Sequence, residues 1–307
     1  MKSGKKKSLR IPAFAKINLT LNITGKRPDG YHELRTIFQT ISLRDTLDIS
    51  LTPGDSFEVA VTCSDPQLAG ADNLVFRAIH ELAPEIGWSG RVQVHLEKQI
   101  PVARGLGGGS SDAAAVLIGM LRLTKANVSL DRLMEIAAKL GADVPFFLFG
   151  GRALAVNRGD EIYPLHDGPK RTVVVVSPKG IGVPTKNAYE WLAPELTRLT
   201  NPHRIWRFCA LCWSRQDGLS NDFEGPVFSR HPQLGEIRAR LLKRGAADAA
   251  LAGSGSAVFG VFRNPARARR AARAFPEDSV FVVETLSREK YGRAMGWSAS
   301  ADRRAAG

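Results

Sequence analysis

From Ala13 the chain alternates. Ala15, Ile17, Leu19, Leu21 and Ile23 are apolar, while Lys16, Asn18, Thr20, Asn22 and Thr24 between them are polar, the period-two pattern of a strand. This places Lys16 and Asn18 side by side on the polar face, which a solvated outer surface explains as well as a functional one does. A breaker-rich turn, Gly25 to Gly30, leads to Tyr31-His32, and Thr36 to Leu51 reads as further strand with a turn at Arg44-Asp45. Asp72 caps a predicted helix running through Leu82. Val92, Val94 and Leu96 alternate with Gln93, His95 and Glu97, and Ala113 to Leu123 is rich in helix formers behind a serine N-cap, Ser110 or Ser111. Ser129 caps a helix from Leu130 to Leu140, and Gly141 ends it.

The pattern then changes. Arg152 to Leu165 reads as a strand pair turning at Gly159-Asp160, and the β-branched run Thr172 to Val176 opens a second sheet. The expected division is a basic disordered tail over 1–12, a first domain over 13–165, a second over 166–290 and a tail over 291–307. Helices extend to Arg244 and Phe281-Val282-Val283 is a last strand; Trp191 to Trp213 has aromatics without a period, and the end from Gly292 carries no strong signal.

Composition alters this picture in two places. At 307 residues with 44% hydrophobic and 24% charged residues, the chain has the make-up of a soluble two-domain protein, with no bilayer-length apolar run or secretory signal. Three cysteines make no disulfide framework, so a cytoplasmic location is expected; Cys209-x-x-Cys212 lacks a second ligand pair and reads as buried structural thiols. The net charge of +13 suits anionic partners, although arginines on a solvated helix over Arg263 to Arg273 supply part of it. A basic RNA-binding protein would explain the charge.

The chemistry gathers at Pro101 to Asp112. Strand, glycine-rich loop and helix follow one another, an order that exposes backbone N–H groups to a phosphate. No Gly-Lys-Ser/Thr triplet of a Walker loop occurs, Ser110 stands where a dinucleotide fingerprint needs its third glycine, and a protein-kinase catalytic loop is absent. A hydrolase lacks a His/Asp partner for any serine. Asp143, between two helix ends in apolar surroundings, is placed either to cap a short helix after Pro145 or for chemistry. Tyr31 and His32 suit either a base or a packed turn.

The run Pro101-x-x-x-Gly105-Leu106-Gly107-Gly108-Gly109-Ser110-Ser111-Asp112-Ala113-Ala114 resembles the central motif of the GHMP kinases, the superfamily of galactokinase, homoserine kinase and mevalonate kinase. Ala15-Lys16-Ile17-Asn18-Leu19, Asp29-Gly30-Tyr31-His32 and Gly141-Ala142-Asp143-Val144-Pro145 are similar to signatures of its 4-diphosphocytidyl-2-C-methyl-D-erythritol kinase branch, and Ala250 to Gly260 to the third motif of the superfamily. The resemblance covers roughly Ala13 to Leu286. It implies an α+β, two-domain GHMP kinase fold: an N-terminal α/β ATP-binding domain with a left-handed βαβ unit and a ferredoxin-like C-terminal domain.

The implied reaction moves the γ-phosphoryl of ATP to the 2-hydroxyl of a cytidine diphospho-sugar alcohol, in the non-mevalonate route to isopentenyl diphosphate. Asp143 is then the base, with Lys16 beside it stabilising developing charge. Pro101, Val102, Ala103, Arg104, Gly105, Leu106, Gly107, Gly108, Gly109, Ser110 and Ser111 hold ATP together with Asn73 and Lys98. Asn18, Tyr31, His32, Thr185, Tyr189, Gly253, Ser254 and Gly255 bind the other substrate, Tyr189 facing Tyr31 across the cytosine where the family often has phenylalanine. Mg²⁺ accompanies ATP near Ser110 or Ser111, without assigned protein ligands. Arg104 departs from the small residue usual at its position. No nucleic-acid or membrane partner is implied, and a homoserine kinase is the nearest rival, lacking a reason for Tyr31, His32 and Tyr189.

Overall fold

The computed structural model describes residues 5–70, 72–196 and 218–299. Two long strands form its spine: β1 (Lys7–Lys26) and β2 (His32–Pro53) pair antiparallel. Both far exceed the usual strand of about five or six residues, and register shifts at three places bend the pair. β1 begins at Lys7, so the segment expected to be a disordered tail is strand from that residue, because Leu9 and Ile11 supply apolar positions and Ile11 is fully buried. No turn interrupts β2 at Arg44-Asp45; both residues stay paired, with Ala13 opposite Asp45.

β3 (Glu58–Cys63), α1 (Leu74–Glu85) and β4 (Gly90–Glu97) make a parallel strand–helix–strand unit, with β4 also pairing β2. The α1 cap is Asn73 rather than Asp72: the Asn73 side chain accepts the Val75 N–H at 2.8 Å. α2 (Gly108–Thr124) starts earlier than expected. Its cap is Gly107 in the left-handed conformation, and neither Ser110 nor Ser111 caps it, because both lie in its first turn. α3 (Leu130–Leu140) is capped by Ser129 as read, but Gly141 ends it in extended rather than left-handed backbone. The short α4 (Phe146–Phe149) follows Pro145, so Asp143 does not cap it. β5 (Arg152–Val156) and β6 (Glu161–Pro164) form the expected pair, β5 joining the first half of β2.

β7 (Thr172–Ser177) opens the second sheet, with every residue buried. α5 (Thr185–Leu196), β8 (Ser220–Asn221), α6 (Glu224–Arg230) and α7 (Pro232–Lys243) lead to β9 (Asp248–Leu251) and β10 (Val258–Phe262). α8 (Pro265–Ala272) and β11 (Ser279–Glu284) complete it in the order β11-β7-β10-β9, fourth-first-third-second and antiparallel throughout, the ferredoxin-like arrangement. The Cys209/Cys212 pair and most of 191–213 lie outside the described residues.

After β11 comes α9 (Arg288–Met295), which the sequence pattern did not reveal. It returns to the first domain: Tyr291 and Met295 are buried in that domain's core, and the Tyr291 hydroxyl donates to the Phe147 carbonyl. Residues 291–295 are therefore helix rather than tail. Between the sheets, Ala15 and Ile17 of β1 pack with Val173, Val175, Ala250, Ala252 and Phe259 in an apolar cluster common to both domains. No helix among the described residues is long and apolar enough to cross a membrane.

Candidate active site

The apolar face of β1 is spent on this shared cluster, so its polar face turns inward instead of to solvent. Lys16 is 4% exposed and Asn18 1% exposed, which overturns a solvated outer face. The Lys16 ammonium donates to Asn18 Oδ1 at 2.9 Å, stands 5.0 Å over the Phe38 ring, and pairs with Asp143 Oδ2 at 3.3 Å. Asn18 in turn donates to Thr36 Oγ1 at 2.7 Å, and Thr36 donates to the Thr20 carbonyl at 2.6 Å. A buried ammonium needs such partners. Asp143 is 32% exposed and faces a cleft of about 1540 Å³.

At one end of the cleft lies the glycine loop. The Lys16 N–H donates to the Leu106 carbonyl at 2.9 Å, which fixes the loop against β1. Gly105 has φ +78°, and a Cβ there would lie 1.9 Å from the Ala252 carbonyl oxygen, so the loop interlocks with the segment after β9. The first N–H groups of α2, at Gly108 to Ser110, line the cleft without intrahelical acceptors. They form an anion cradle.

Behind the cradle Lys98 donates to both Asp45 and Asp112, the latter at 2.7 Å, while Asp45 Oδ1 accepts the Ile100 N–H at 2.8 Å. Burial works against the Lys98 charge, but the two carboxylates hold its pKa above the ordinary lysine value. Asp112 is pushed up to about 7 by burial; the Lys98 attraction opposes this and the Asp45 charge adds to it. Asp112 Oδ1 and Ser111 Oγ have no hydrogen-bond partner among the described residues.

The other end is aromatic. His32 stacks on Tyr189 with centroids 4.6 Å apart and planes 16° from parallel, and Tyr189 meets the edge of Phe223 at 4.9 Å. Burial and then the Lys26 charge lower the His32 pKa, leaving its ring neutral near pH 7. Burial, then the Asp143 charge, push the Tyr189 phenol up to about 12. The ring that Tyr189 touches directly is that of His32, while Tyr31, just before β2 and half exposed, lines the same cleft. Near the middle, Thr185 and Ser254 share a hydroxyl hydrogen bond of 3.0 Å.

Of the residues expected in the site, Lys16, Asn18, Asn73, Lys98 and Asp143 line this one cleft. So do Pro101 to Gly105, Gly107 to Ser110, Tyr31, His32, Thr185, Tyr189, Gly253 and Ser254. Leu106, Ser111 and Gly255 do not. Leu106 is in the shared apolar cluster, Ser111 is buried within α2, and Gly255 packs on Leu251. Sequence reasoning missed Asp45, placed at a turn, and Asp112, which adjoins the serines. It also missed the use of Asn221, whose amide donates to the Leu251 and Gly253 carbonyls at 2.9 and 2.7 Å and holds the third loop.

Comparison with known proteins agrees with this geometry. Residues 73–151 match the GHMP kinases N terminal domain and 210–279 the GHMP kinases C terminal domain. The 4-diphosphocytidyl-2-C-methyl-D-erythritol kinase of Solibacter usitatus is 46% identical over 285 residues, covering 91% of this chain and 89% of that one. The enzyme of that name from Geobacter metallireducens is 40% identical over 90% of this chain and 97% of its own. A crystal structure of 4-(cytidine 5'-diphospho)-2C-methyl-D-erythritol kinase superposes with TM-score 0.75 at 38% identity, covering 90% of this chain and 99% of that one. Homoserine kinase from Cytophaga hutchinsonii shares the fold at TM-score 0.68, with 16% identity and 91% and 95% coverage. With its cradle, its Lys16–Asp143 pair and this degree of identity, the chain belongs to the 4-diphosphocytidyl-2-C-methyl-D-erythritol kinase family of the GHMP kinases.

Proposed function

We propose that the protein transfers the γ-phosphoryl of ATP to the 2-hydroxyl of 4-diphosphocytidyl-2-C-methyl-D-erythritol, in the cytoplasm, with Asp143 and Lys16 at the point of transfer. The observation that carries this reading is the position of that pair, in one cleft between a phosphate cradle and an aromatic stack. The names and identities of the relatives support the substrate. Asp143 accepts the hydroxyl proton and orients the oxygen, and Lys16 neutralises charge on the transferring group. Phosphoryl transfer has a loose transition state, so most of the acceleration comes from alignment of the two substrates along the cleft.

Mg²⁺ would enter with ATP and neutralise phosphate charge. Among the described residues no group of three or more His, Cys, Asp or Glu side chains is placed to hold a metal. Ser110 and Asp143 line the same cleft as the cradle and would supply a hydroxyl and a carboxylate oxygen. This donor set fits an ion held mainly by phosphate oxygens, as Mg²⁺ commonly is. Tyr31, His32 and Tyr189 bind the cytosine, with Thr185 and Ser254 toward the sugar.

The test is ATP consumption by the purified chain with four acceptors: the cytidine diphospho-sugar alcohol, homoserine, mevalonate and galactose. Turnover confined to the first supports the proposal. Preference for another acceptor overturns it.

A further inference from the structure

We propose that Arg158 is a specificity-determining contact for the pyrimidine, donating to the acceptor edge of the ring, and that Asp160 is its positioning residue. The proposal rests on the reading of Tyr31, His32 and Tyr189 as the base-binding end of the cleft. Arg158 lies in the turn between β5 and β6 and lines that end. Its guanidinium stands 5.0 Å from the centre of the Tyr31 ring. Arginine stacks on aromatic rings and still offers in-plane N–H donors.

Two of those donors are committed. Nε and Nη2 of Arg158 both donate to Asp160 Oδ2, at 2.9 and 2.5 Å. The Asp160 side chain is only 8% exposed, and its Oδ1 has no hydrogen-bond partner among the described residues. Arg158 is its ion-pair partner, so the burial of this carboxylate is offset chiefly by holding the guanidinium. The turn is fixed as well: Arg27 donates to the Asn157 side chain, and the Leu34 N–H donates to the Asn157 carbonyl at 2.8 Å. The turn and the Tyr31 segment therefore form one unit, which keeps Arg158 over Tyr31 before any ligand arrives.

The Arg158 Nη1 group is left with its donors unspent among the described residues. Cytosine presents acceptors at O2 and N3, whereas uracil carries a proton at N3. A fixed donor at this edge accepts the first base and penalises the second.

The experiment compares wild type with Arg158→Lys and Asp160→Asn, reading KM for the cytidyl substrate, KM for ATP, kcat, and inhibition by CMP and by UMP. Lysine keeps the charge but not the planar donors. Arg158→Lys should raise the cytidyl KM about tenfold, leave the ATP KM and kcat within about twofold, and shrink the preference for CMP over UMP. Asp160→Asn should move the same readouts in the same direction, by less. If melting shows that Arg158→Lys is unfolded, Arg158→Gln is measured instead. An unchanged cytidyl KM in a folded variant overturns the proposal, and so does a loss falling equally on CMP and UMP, which would place Arg158 on sugar or phosphate. Tyr31→Ala tells the two readings apart. No effect of Tyr31→Ala on the cytidyl KM overturns the pocket itself, whereas an effect there without one in Arg158→Lys removes only Arg158.

Discussion

Asp143→Asn keeps the side chain's size and a hydrogen-bonding oxygen, yet it cannot take a proton or pair as a charge with Lys16 across 3.3 Å. Loss of a general base commonly costs about 10²- to 10⁴-fold, so single-turnover transfer should fall by that much while ATP still binds. Lys16→Met should also lower it, and the double variant should lose far less than the product of the two, because the residues act together. A near-normal rate in folded Asp143→Asn would remove it from the reaction. Asp112 makes a different prediction. Its pKa rises from 3.8 to about 7 on folding, so between these values the folded chain holds a proton that the unfolded chain has released. Stability must then decline as pH rises through that window. Asp112→Asn removes the titration, and its Tm relative to wild type should climb between about pH 4 and pH 7. Lys16, His32 and Asp143 were legible as residues of a motif, but the environments of Asp45 and Asp112 were not. Their burial arises from β2, the β4 exit and α2 meeting, and no local pattern encodes a three-way junction.

Elements show the same division. Alternation along β1 and β4, and the helix formers of α2 and α3, were readable because one periodicity dominates each. The start of α2 was misplaced because serine is the stronger cap by preference, whereas Gly107 at φ +72° satisfies the close approach of Phe147 and Lys16. The glycine loop is an interlocked element, and Gly105→Ala tests that. Left-handed backbone costs a non-glycine residue about 1–2 kcal/mol, and the alanine methyl would also strike the Ala252 carbonyl. Gly105→Ala should lower Tm and raise the ATP KM together. A change in neither would show that the loop is free of the segment after β9.

At the scale of the molecule, the ferredoxin-like half was foreseen from the resemblance, and the apolar cluster shared between the halves was not. That cluster puts the apolar face of β1 against the second sheet while its polar face builds the cleft, so the halves should unfold together. Phe259→Ala, inside the shared cluster, should cost about 3–5 kcal/mol, as large aromatic deletions do. It should shift one calorimetric transition rather than split it in two. The return of α9 to the first domain extends this to the timing of synthesis. Tyr291, which fills the space over Gly150, is translated roughly 140 residues after it. At about 5–20 residues per second, the first half waits on the order of ten to thirty seconds on the ribosome with its core open. During that interval the nascent chain depends on whatever shields exposed apolar surface in the cell, and the emergence of α9 ends that dependence.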